Sequence, residues 1–193
     1  MKKLLILLIF IISCTSDNDV DISKYPIITT VTELSKSYDV SLDLSGNYEK
    51  STITKYIDGS YELEYTYDLL ETDEFDPLFY SITITKERTV KDAIESYHLT
   101  KGAVNLVSNS FSQGTIKVDT LELPGDESYY AIRTYNGEQN GVLFTIRKGR
   151  FIYDLITSGI YTDDHSLIVD LIIPDIENLV DFKLKTRAKT GHN

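Results

Sequence analysis

The sequence predicts an α+β fold, an antiparallel β-sheet meander with helices packed on its faces. Apolar and polar residues alternate with a period of two in several segments, as they do in half-buried strands. Gly and Asn residues separate the later segments, and they permit the positive φ angles of tight hairpins. One segment has its apolar residues at helical spacing, and this stripe must lie against the sheet. Together these patterns indicate an antiparallel sheet that is covered by helices.

The chain begins with the features of an export signal. Two lysines precede a run of nine apolar residues, Leu4 to Ile12, and the small residue Ser13 stands before Cys14. Nine apolar residues are too few to span a bilayer as a helix, which requires about 20. We therefore expect residues 1–13 to be a lipoprotein signal peptide rather than a membrane-spanning anchor.

The sequence Ile11-Ile12-Ser13-Cys14 resembles a bacterial lipobox, at which a signal peptidase cuts before an acylated cysteine. It departs from the usual pattern at Ile11, where Leu is common, and at Ile12, where a small residue is common. The resemblance implies that acyl chains on Cys14 anchor the protein in the cell envelope, in the outer membrane on its periplasmic or surface face. Two or three such chains anchor stably, since each buried CH₂ contributes about 0.8 kcal/mol. The alternatives are a buried, unmodified thiol and an uncleaved membrane anchor.

The composition narrows the range of partners. The chain has 30 acidic against 19 basic residues and a formal net charge of −11, which repels polyphosphate, so we expect no nucleic acid partner. The same charge argues against attraction of the anchor to anionic lipids. Cys14 is the only cysteine in the sequence, so stability must come from a hydrophobic core rather than from disulfides.

Residues 14–36 are predicted to be the lipidated N-terminus and an acidic flexible tether. The tether opens with Asp17-Asn18-Asp19 and is interrupted by Pro26. An acidic stretch after a lipidated cysteine is similar to the surface-export signals of some Gram-negative lipoproteins, and a plain solvated linker is the alternative. A single α+β domain is predicted over residues 37–186, followed by a polar tail over residues 187–193.

Two strands and a helix are the first clear elements of the predicted domain. Alternation predicts neighbouring antiparallel strands over Tyr61–Tyr67 and Leu78–Ile84. Thr89 is the predicted N-cap of the helix, and Asp92 stands three residues on, in the position of a capping box. Gly102 is expected to weaken or end this helix.

The second half is predicted to be a run of strands joined by glycine-containing turns. The strands are Thr115–Leu123, Tyr129–Tyr135, Val142–Arg147 and Phe151–Thr157. The second and fourth of them carry apolar residues on both faces, so we expect them at the centre of the sheet. Pro174 is expected to open a short final helix that runs through Leu179.

The order of these elements resembles the PsbP-like family. The phrases that carry the resemblance are Thr89–Tyr97, Lys148–Tyr153, Ser158-Gly159 and the Pro174 helix with Phe182. The resemblance covers about residues 45–186. It implies an antiparallel sheet with helices on its faces, in a family whose bacterial members are often secreted proteins or lipoproteins of unknown role. It implies no catalytic residue, because the family has no shared catalytic motif.

No motif predicts a catalytic residue, a cofactor or a metal site. The sequence lacks a nucleophile elbow, a phosphate loop, a dinucleotide-binding fingerprint and a zinc-protease motif. Asp163-Asp164-His165 is the best group of metal ligands, but side chains of adjacent residues diverge. We favour the interpretation that Asp163 or Asp164 caps a helix over Ser166–Leu171.

Two further groups of residues have a functional and a structural interpretation. Glu62 and Glu64 share a strand face about 7 Å apart, a separation compatible with glycoside hydrolysis, although a solvated strand face is favoured. Tyrosines of the meander are either core residues or part of a partner surface; they are Tyr129, Tyr130, Tyr135, Tyr153 and Tyr161.

Two functions are therefore compatible with the sequence. The favoured one is a membrane-anchored, non-enzymatic lipoprotein of the cell envelope that binds another envelope protein or a secreted protein. The alternative is a hydrolase or carbohydrate-binding protein that acts on extracellular polymers. The alternative requires polar groups such as Glu62, Glu64 and Asp163 to converge in a pocket.

Overall fold

The structure, a computed structural model, describes residues 14–39, 41–42, 48–69, 78–107, 113–119, 121 and 123–184. Over these residues it has the predicted α+β class, with an antiparallel sheet of eight strands and three helices. The strands are Cys14–Asn18 (β1), Glu49–Tyr56 (β2), Tyr61–Leu69 (β3), Leu78–Lys86 (β4), Gln113–Lys117 (β5), Glu127–Tyr135 (β6), Glu138–Lys148 (β7) and Phe151–Ser158 (β8). The helices are Val31–Tyr38 (α1), Val90–Val107 (α2) and Ser166–Asn178 (α3). The predicted signal peptide and the predicted polar tail lie outside the described residues.

The strands lie in the order β1-β2-β3-β4-β8-β7-β6-β5. Each neighbouring pair is antiparallel, which confirms the predicted pairing of β3 with β4. The central position predicted for β8 is right, but the one predicted for β6 is wrong, since β6 lies next to the edge strand β5. Both faces of β6 are apolar because packed side chains cover both of them. A strand does not have to lie at the centre of a sheet to be covered on both faces.

The larger core lies between one face of the sheet and helices α1 and α3. Alternate residues of the strands point to this face, as the period-two pattern requires. Its buried members include Leu63, Tyr65, Tyr80, Ile82, Phe144 and Tyr153 of the sheet, and Val31, Leu34, Ile168 and Ile172 of the two helices.

Helix α2 covers part of the opposite face. Its Tyr97 packs with Tyr129, Ala131, Leu143 and Ile152 in a second, smaller core. The predicted N-cap is confirmed, because the Asp92 backbone N–H donates to Thr89 Oγ1 at 3.1 Å. The expected end of the helix near Gly102 is wrong, since α2 continues to Val107. A single glycine costs a helix only about 1 kcal/mol, which packing of the rest of α2 outweighs.

The segment predicted as a flexible tether is instead part of the domain. Cys14–Asn18 pairs with β2, and Tyr25, Ile27 and Ile28 are buried in the larger core. Thr30 then begins α1 with a capping box to Glu33. The segment does begin with acidic residues, but the apolar residues that follow them are buried against one face of the sheet. The packed domain therefore includes the segment from Cys14 onward, ahead of the predicted start at residue 37.

The predicted final helix begins earlier than expected. Helix α3 starts at Ser166 and contains Pro174 in its interior, so Pro174 does not open it. A proline inside a helix removes the hydrogen bond to the carbonyl four residues before, here that of Asp170. Both Pro174 and Asp170 are exposed, so water can replace that bond. The predicted helix over Ser166–Leu171 and the predicted Pro174 helix are one element.

Two glycines permit the tight geometry of the meander. Gly137, with φ of 85°, follows Asn136, with φ of 50°, in the turn between β6 and β7, as a type I′ hairpin requires. Gly141 lies beside an irregularity in the β6–β7 ladder at Arg133 and Thr134. A Cβ atom at Gly141 would lie 2.1 Å from the Thr157 carbonyl oxygen, so only glycine fits there.

Candidate functional site

Cys14 is the exposed first residue of the edge strand β1. It lies opposite Tyr56, the last residue of β2, and the turn to β3 follows directly. In that turn Asp58 Oδ1 accepts hydrogen bonds from the backbone N–H and the hydroxyl of Ser60, at 3.0 and 2.6 Å. The candidate lipidation site therefore lies at one end of the sheet, beside a hairpin tip that is held in a fixed conformation.

Other elements end at the same place, and we call it the anchor end of the domain. Tyr61 at the start of β3 is opposite Lys86, which is opposite Phe151, and the Phe182 ring lies 6.1 Å from the Tyr61 ring. The Glu87 backbone N–H donates to the Arg150 carbonyl at 2.9 Å. The anchor end consists of Cys14, Tyr56–Ser60, Lys86–Val90, Lys148–Arg150 and Leu179–Lys183.

The Asp163-Asp164-His165 group serves the start of α3. Asp164 Oδ1 accepts from the backbone N–H of Ser166 at 3.1 Å and from its hydroxyl at 2.6 Å. The Tyr161 hydroxyl donates to Asp163 Oδ1 at 3.1 Å and lies 3.3 Å from His165 Nε2. The N-cap position of α3 is His165, which makes no side-chain capping bond, so neither Asp163 nor Asp164 is the N-cap that the sequence favours. Asp164 instead holds Ser166 in a turn just before the helix, and its neighbours bind a tyrosine.

Glu62 and Glu64 lie half-buried on the sheet face that α2 partly covers. The register places Glu64 opposite Thr83, and Thr83 opposite Asp154 of β8, so the three carboxyl groups share one polar area. We call Glu62, Glu64 and Asp154 the acidic face. Asp154 was not among the residues that the sequence singles out, because its neighbour on this face comes from a strand about 70 residues away along the chain.

Asp154 is the most perturbed carboxyl group of the acidic face. Burial raises its pKa to about 7; a hydrogen bond from Thr145 opposes this shift, and the charge of Glu62 adds to it. Its Oδ1 atom has no hydrogen-bond partner in the described part of the chain. The pKa of Glu62 is also raised, by burial first and then by Glu64. Near neutral pH this face can hold a proton on Asp154.

The structure does not bring all the predicted carboxylates together. Asp163 follows the far end of β8, whereas Glu62 lies near the start of β3, beside the anchor end. A cleft of about 330 Å³ lies elsewhere, between the N-terminal segment and β2–β3. Its lining residues are Asp19, Val20, Ile22, Glu49, Lys50, Ser51 and Tyr65.

Hydrogen bonds fix the inner wall of this cleft. The Tyr65 hydroxyl donates to Glu49 Oε2 at 2.6 Å and accepts from the Val31 backbone N–H at 3.1 Å. Burial, and then the hydrogen bond to Glu49, raise the pKa of Tyr65. The cleft joins residues from distant parts of the chain and follows no local motif, so sequence reasoning missed it.

Most of the meander tyrosines belong to the core. Tyr129, Tyr130 and Tyr153 are buried, while Tyr135 and Tyr161 are half-buried. Tyr130 stacks on Phe144 with ring centroids 4.3 Å apart. The structural interpretation of these residues is therefore right for the three buried ones.

No group of three or more His, Cys, Asp or Glu side chains is placed to hold a metal ion within the described residues. None of the helices in the described part of the chain is both long and apolar enough to cross a membrane. No family model matches this chain, and no curated protein or solved structure matches it either.

Proposed function

We propose that this chain is a lipoprotein of the cell envelope, anchored through acyl chains on Cys14 in the outer membrane, on its periplasmic or surface face. The observation that carries the proposal is the sequence before Cys14, a basic start, a short apolar run and a small residue. Removal of residues 1–13 would make Cys14 the N-terminus. The exposure of Cys14 at the end of an edge strand supports the proposal, because its lipid would meet no other part of the described domain.

A PsbP-like architecture is part of the proposal. It is supported by the order of two paired strands, a Thr-capped helix, a four-stranded meander and a final helix, here β3, β4, α2, β5–β8 and α3. Because one fold hosts many functions, this architecture carries no activity with it.

The domain is proposed to bind another envelope protein or a secreted protein rather than to catalyse a reaction. The net charge of the whole chain, −11, favours a basic partner, and charge complementarity accelerates association. The separation of Asp163 from Glu62 and Glu64 also favours binding, since the predicted catalytic carboxylates do not converge.

The alternative, a hydrolase or carbohydrate-binding protein for extracellular polymers, has one observation in its favour. Asp154, with its pKa near 7, has the proton-donor property of a general acid, and Glu62 and Glu64 lie on the same face. A depolymerisation assay on envelope and extracellular polysaccharides tests this function. Activity that Asp154→Asn abolishes would establish the alternative and displace the binding role.

Replacement of Cys14 tests the anchor. The wild-type chain and Cys14→Ser are produced in a bacterium that is fed a labelled fatty acid, and Ser13→Ala serves as a control that keeps a small residue before the cut. We expect label on the wild type and the control, and none on Cys14→Ser. Label on Cys14→Ser would contradict the proposal.

A pull-down tests the partner. Tagged protein is purified from detergent-solubilised membranes, and the bound proteins are eluted with a salt gradient. We expect one basic protein to be recovered repeatedly and released by salt, because salt screens charge attraction. Repeated recovery of no protein would contradict the binding role.

A further inference from the structure

Because β1 pairs with β2 from Cys14 onward, no flexible linker separates Cys14 from the folded domain. Every residue of Cys14–Asn18 has a partner in the β2 ladder. Side chains strengthen this pairing, since Ser16 Oγ lies 3.2 Å from Thr54 Oγ1. Cys14 lies at the level of Tyr56, and a strand rises about 3.3 Å per residue, so the hairpin tip extends only about 7 Å beyond Cys14. Acyl chains on Cys14 would thus bring the tip to the surface of the bilayer.

Exposed apolar side chains gather at the same end. Six large apolar side chains are exposed in the described part of the chain, and four of them belong to the anchor end. They are Tyr56 at 37%, Ile57 at 77%, Val90 at 47% and Val180 at 55% exposure. Ile57, at the hairpin tip, is the most exposed of all six. Aliphatic side chains gain by leaving water, and tyrosine is favoured at the level of lipid headgroups.

Basic side chains gather there as well, in a chain that is acidic as a whole. Arg88, Arg150 and Lys183 are exposed, and Lys86 Nζ lies 5.4 Å from the centre of the Tyr61 ring. Burial lowers the pKa of Lys86, and the charges of Arg150 and Lys183 add to this.

The anchor end also carries three carboxylates, Asp58, Glu87 and Asp181, against the five basic residues Lys86, Arg88, Lys148, Arg150 and Lys183. Asp92, beside the anchor end, pairs with Arg88 at 3.3 Å. The opposite end of the sheet carries the exposed carboxylates Glu138, Asp163 and Asp164. The charge is therefore distributed along the strands, with its basic part at Cys14. Phosphate headgroups attract basic side chains and repel carboxylates, so this distribution favours one orientation on a bilayer.

We infer that the anchor end is a membrane-contact surface, which lies on a phospholipid bilayer with Ile57 and Tyr56 among the headgroups. The inference rests on the proposed lipidation of Cys14. It means that the domain stands on the membrane with the strands pointing away from it, and the acidic end faces the surrounding compartment.

A fluorescent label at the hairpin tip tests the inference. Acylation consumes the only cysteine, so Ile57→Cys gives the lipidated protein a single free thiol. The thiol is labelled with an environment-sensitive dye, and the protein is reconstituted into vesicles of phosphatidylethanolamine and phosphatidylglycerol. We expect a blue shift of the emission on reconstitution, and quenching by lipids that carry a spin label near the headgroup.

Leu99→Cys is the matched control. Leu99 is an aliphatic residue with 73% exposure, close to the 77% of Ile57, but it lies within α2, away from the anchor end. Its dye should keep the emission that it has in water and escape quenching. The same result for the dye at position 57, on protein whose mass shows acylated Cys14, would overturn the inference and leave the lipoprotein proposal intact. A mass without acyl chains would overturn both.

Discussion

Asp154 and Asp175 are two carboxyl groups within the packed domain that differ in their hydrogen bonds. Asp175 Oδ2 accepts from the Thr29 backbone N–H at 3.0 Å, the Thr29 hydroxyl at 2.7 Å and the Tyr153 hydroxyl at 3.2 Å. Asp154 leaves Oδ1 without a partner among the described residues. Burial is the main cause that raises the pKa of both, to about 6 for Asp175 and about 7 for Asp154. Asp175 therefore joins elements of the core, whereas Asp154 leaves one of its two oxygens without a bond.

These shifts determine how stability depends on pH. A carboxyl whose pKa is higher in the folded than in the unfolded state binds more protons when folded, so its protonated form favours folding. The contribution of Asp154 and Asp175 is therefore present below about pH 4, where the unfolded groups are protonated. It is lost as the pH rises through their folded pKa values of about 6 and 7.

Asp154→Asn is expected to stabilise the domain at alkaline pH. The amide has nearly the same shape and carries no charge to bury, so we expect a gain of about 1–3 kcal/mol at pH 8 and a smaller gain at pH 5. Urea unfolding at both pH values measures this, with the exposed Asp170→Asn as the control for loss of a charge. An equal effect of Asp154→Asn at the two pH values would contradict the assignment of the raised pKa.

Asp175→Ala is expected to have the opposite effect. It leaves the Thr29 backbone N–H and the Tyr153 hydroxyl without their acceptor inside the core, which costs about 2–4 kcal/mol. Asp175→Asn keeps an acceptor oxygen at the site, so its loss should be smaller. Urea unfolding at pH 7 compares the two, and a loss for Asp175→Ala below that for Asp175→Asn would refute the bonding role.

At the scale of elements, local sequence patterns predict those strands that have one buried face and one solvent-facing face. In β3 the buried residues Tyr61, Leu63, Tyr65 and Tyr67 alternate with half-buried polar ones, so its strand is legible in the sequence. Strand β2 has only Ile53 buried, and β1 has no buried residue, so neither shows alternation. Their positions depend on partners in β3 and in each other, which no local pattern reveals.

The structure of the N-terminal segment also depends on contacts with distant parts of the chain, which its own sequence does not reveal. Thr29 is tied to Asp175, 146 residues away along the chain, and Tyr80 donates to the Thr29 carbonyl at 2.8 Å. Acidic residues near Cys14 favour a linker when the sequence is considered alone. The residues at positions 25, 27 and 28 are buried because they pack against a face of the sheet, which distant parts of the chain form.

Two glycines allow a prediction about the meander and α2. Gly141→Ala should destabilise by about 1–3 kcal/mol or more, because its Cβ atom would lie 2.1 Å from a backbone oxygen that can move only with β8. Gly102→Ala, in a helix interior with open space around it, should stabilise by about 0.5–1 kcal/mol. Thermal unfolding of both variants gives the two signs, and stabilisation by Gly141→Ala would contradict the close approach.

At the scale of the whole molecule, the two candidate sites differ in how far the sequence predicts them. Cys14 can be singled out from the sequence because the motif that precedes it is local and contiguous. The acidic face is not, since Glu64 and Asp154 become neighbours only through Thr83 in the assembled sheet. The anchor end is likewise formed by Cys14 together with turns and helix ends from four other parts of the chain. The net charge of the chain does not reveal the anchor end, because its basic residues are gathered at one end of a domain that is acidic as a whole.

The central claim is that Cys14 is the acylated N-terminus of the mature protein. Its most direct test is the intact mass of the full-length gene product, extracted with detergent from the membranes of a bacterium that processes lipoproteins. We predict the mass of residues 14–193 plus two or three acyl chains on a glycerol-modified Cys14, with no thiol that reacts with iodoacetamide. A mass that corresponds to residues 1–193, or a Cys14 thiol that alkylates freely, would contradict the claim.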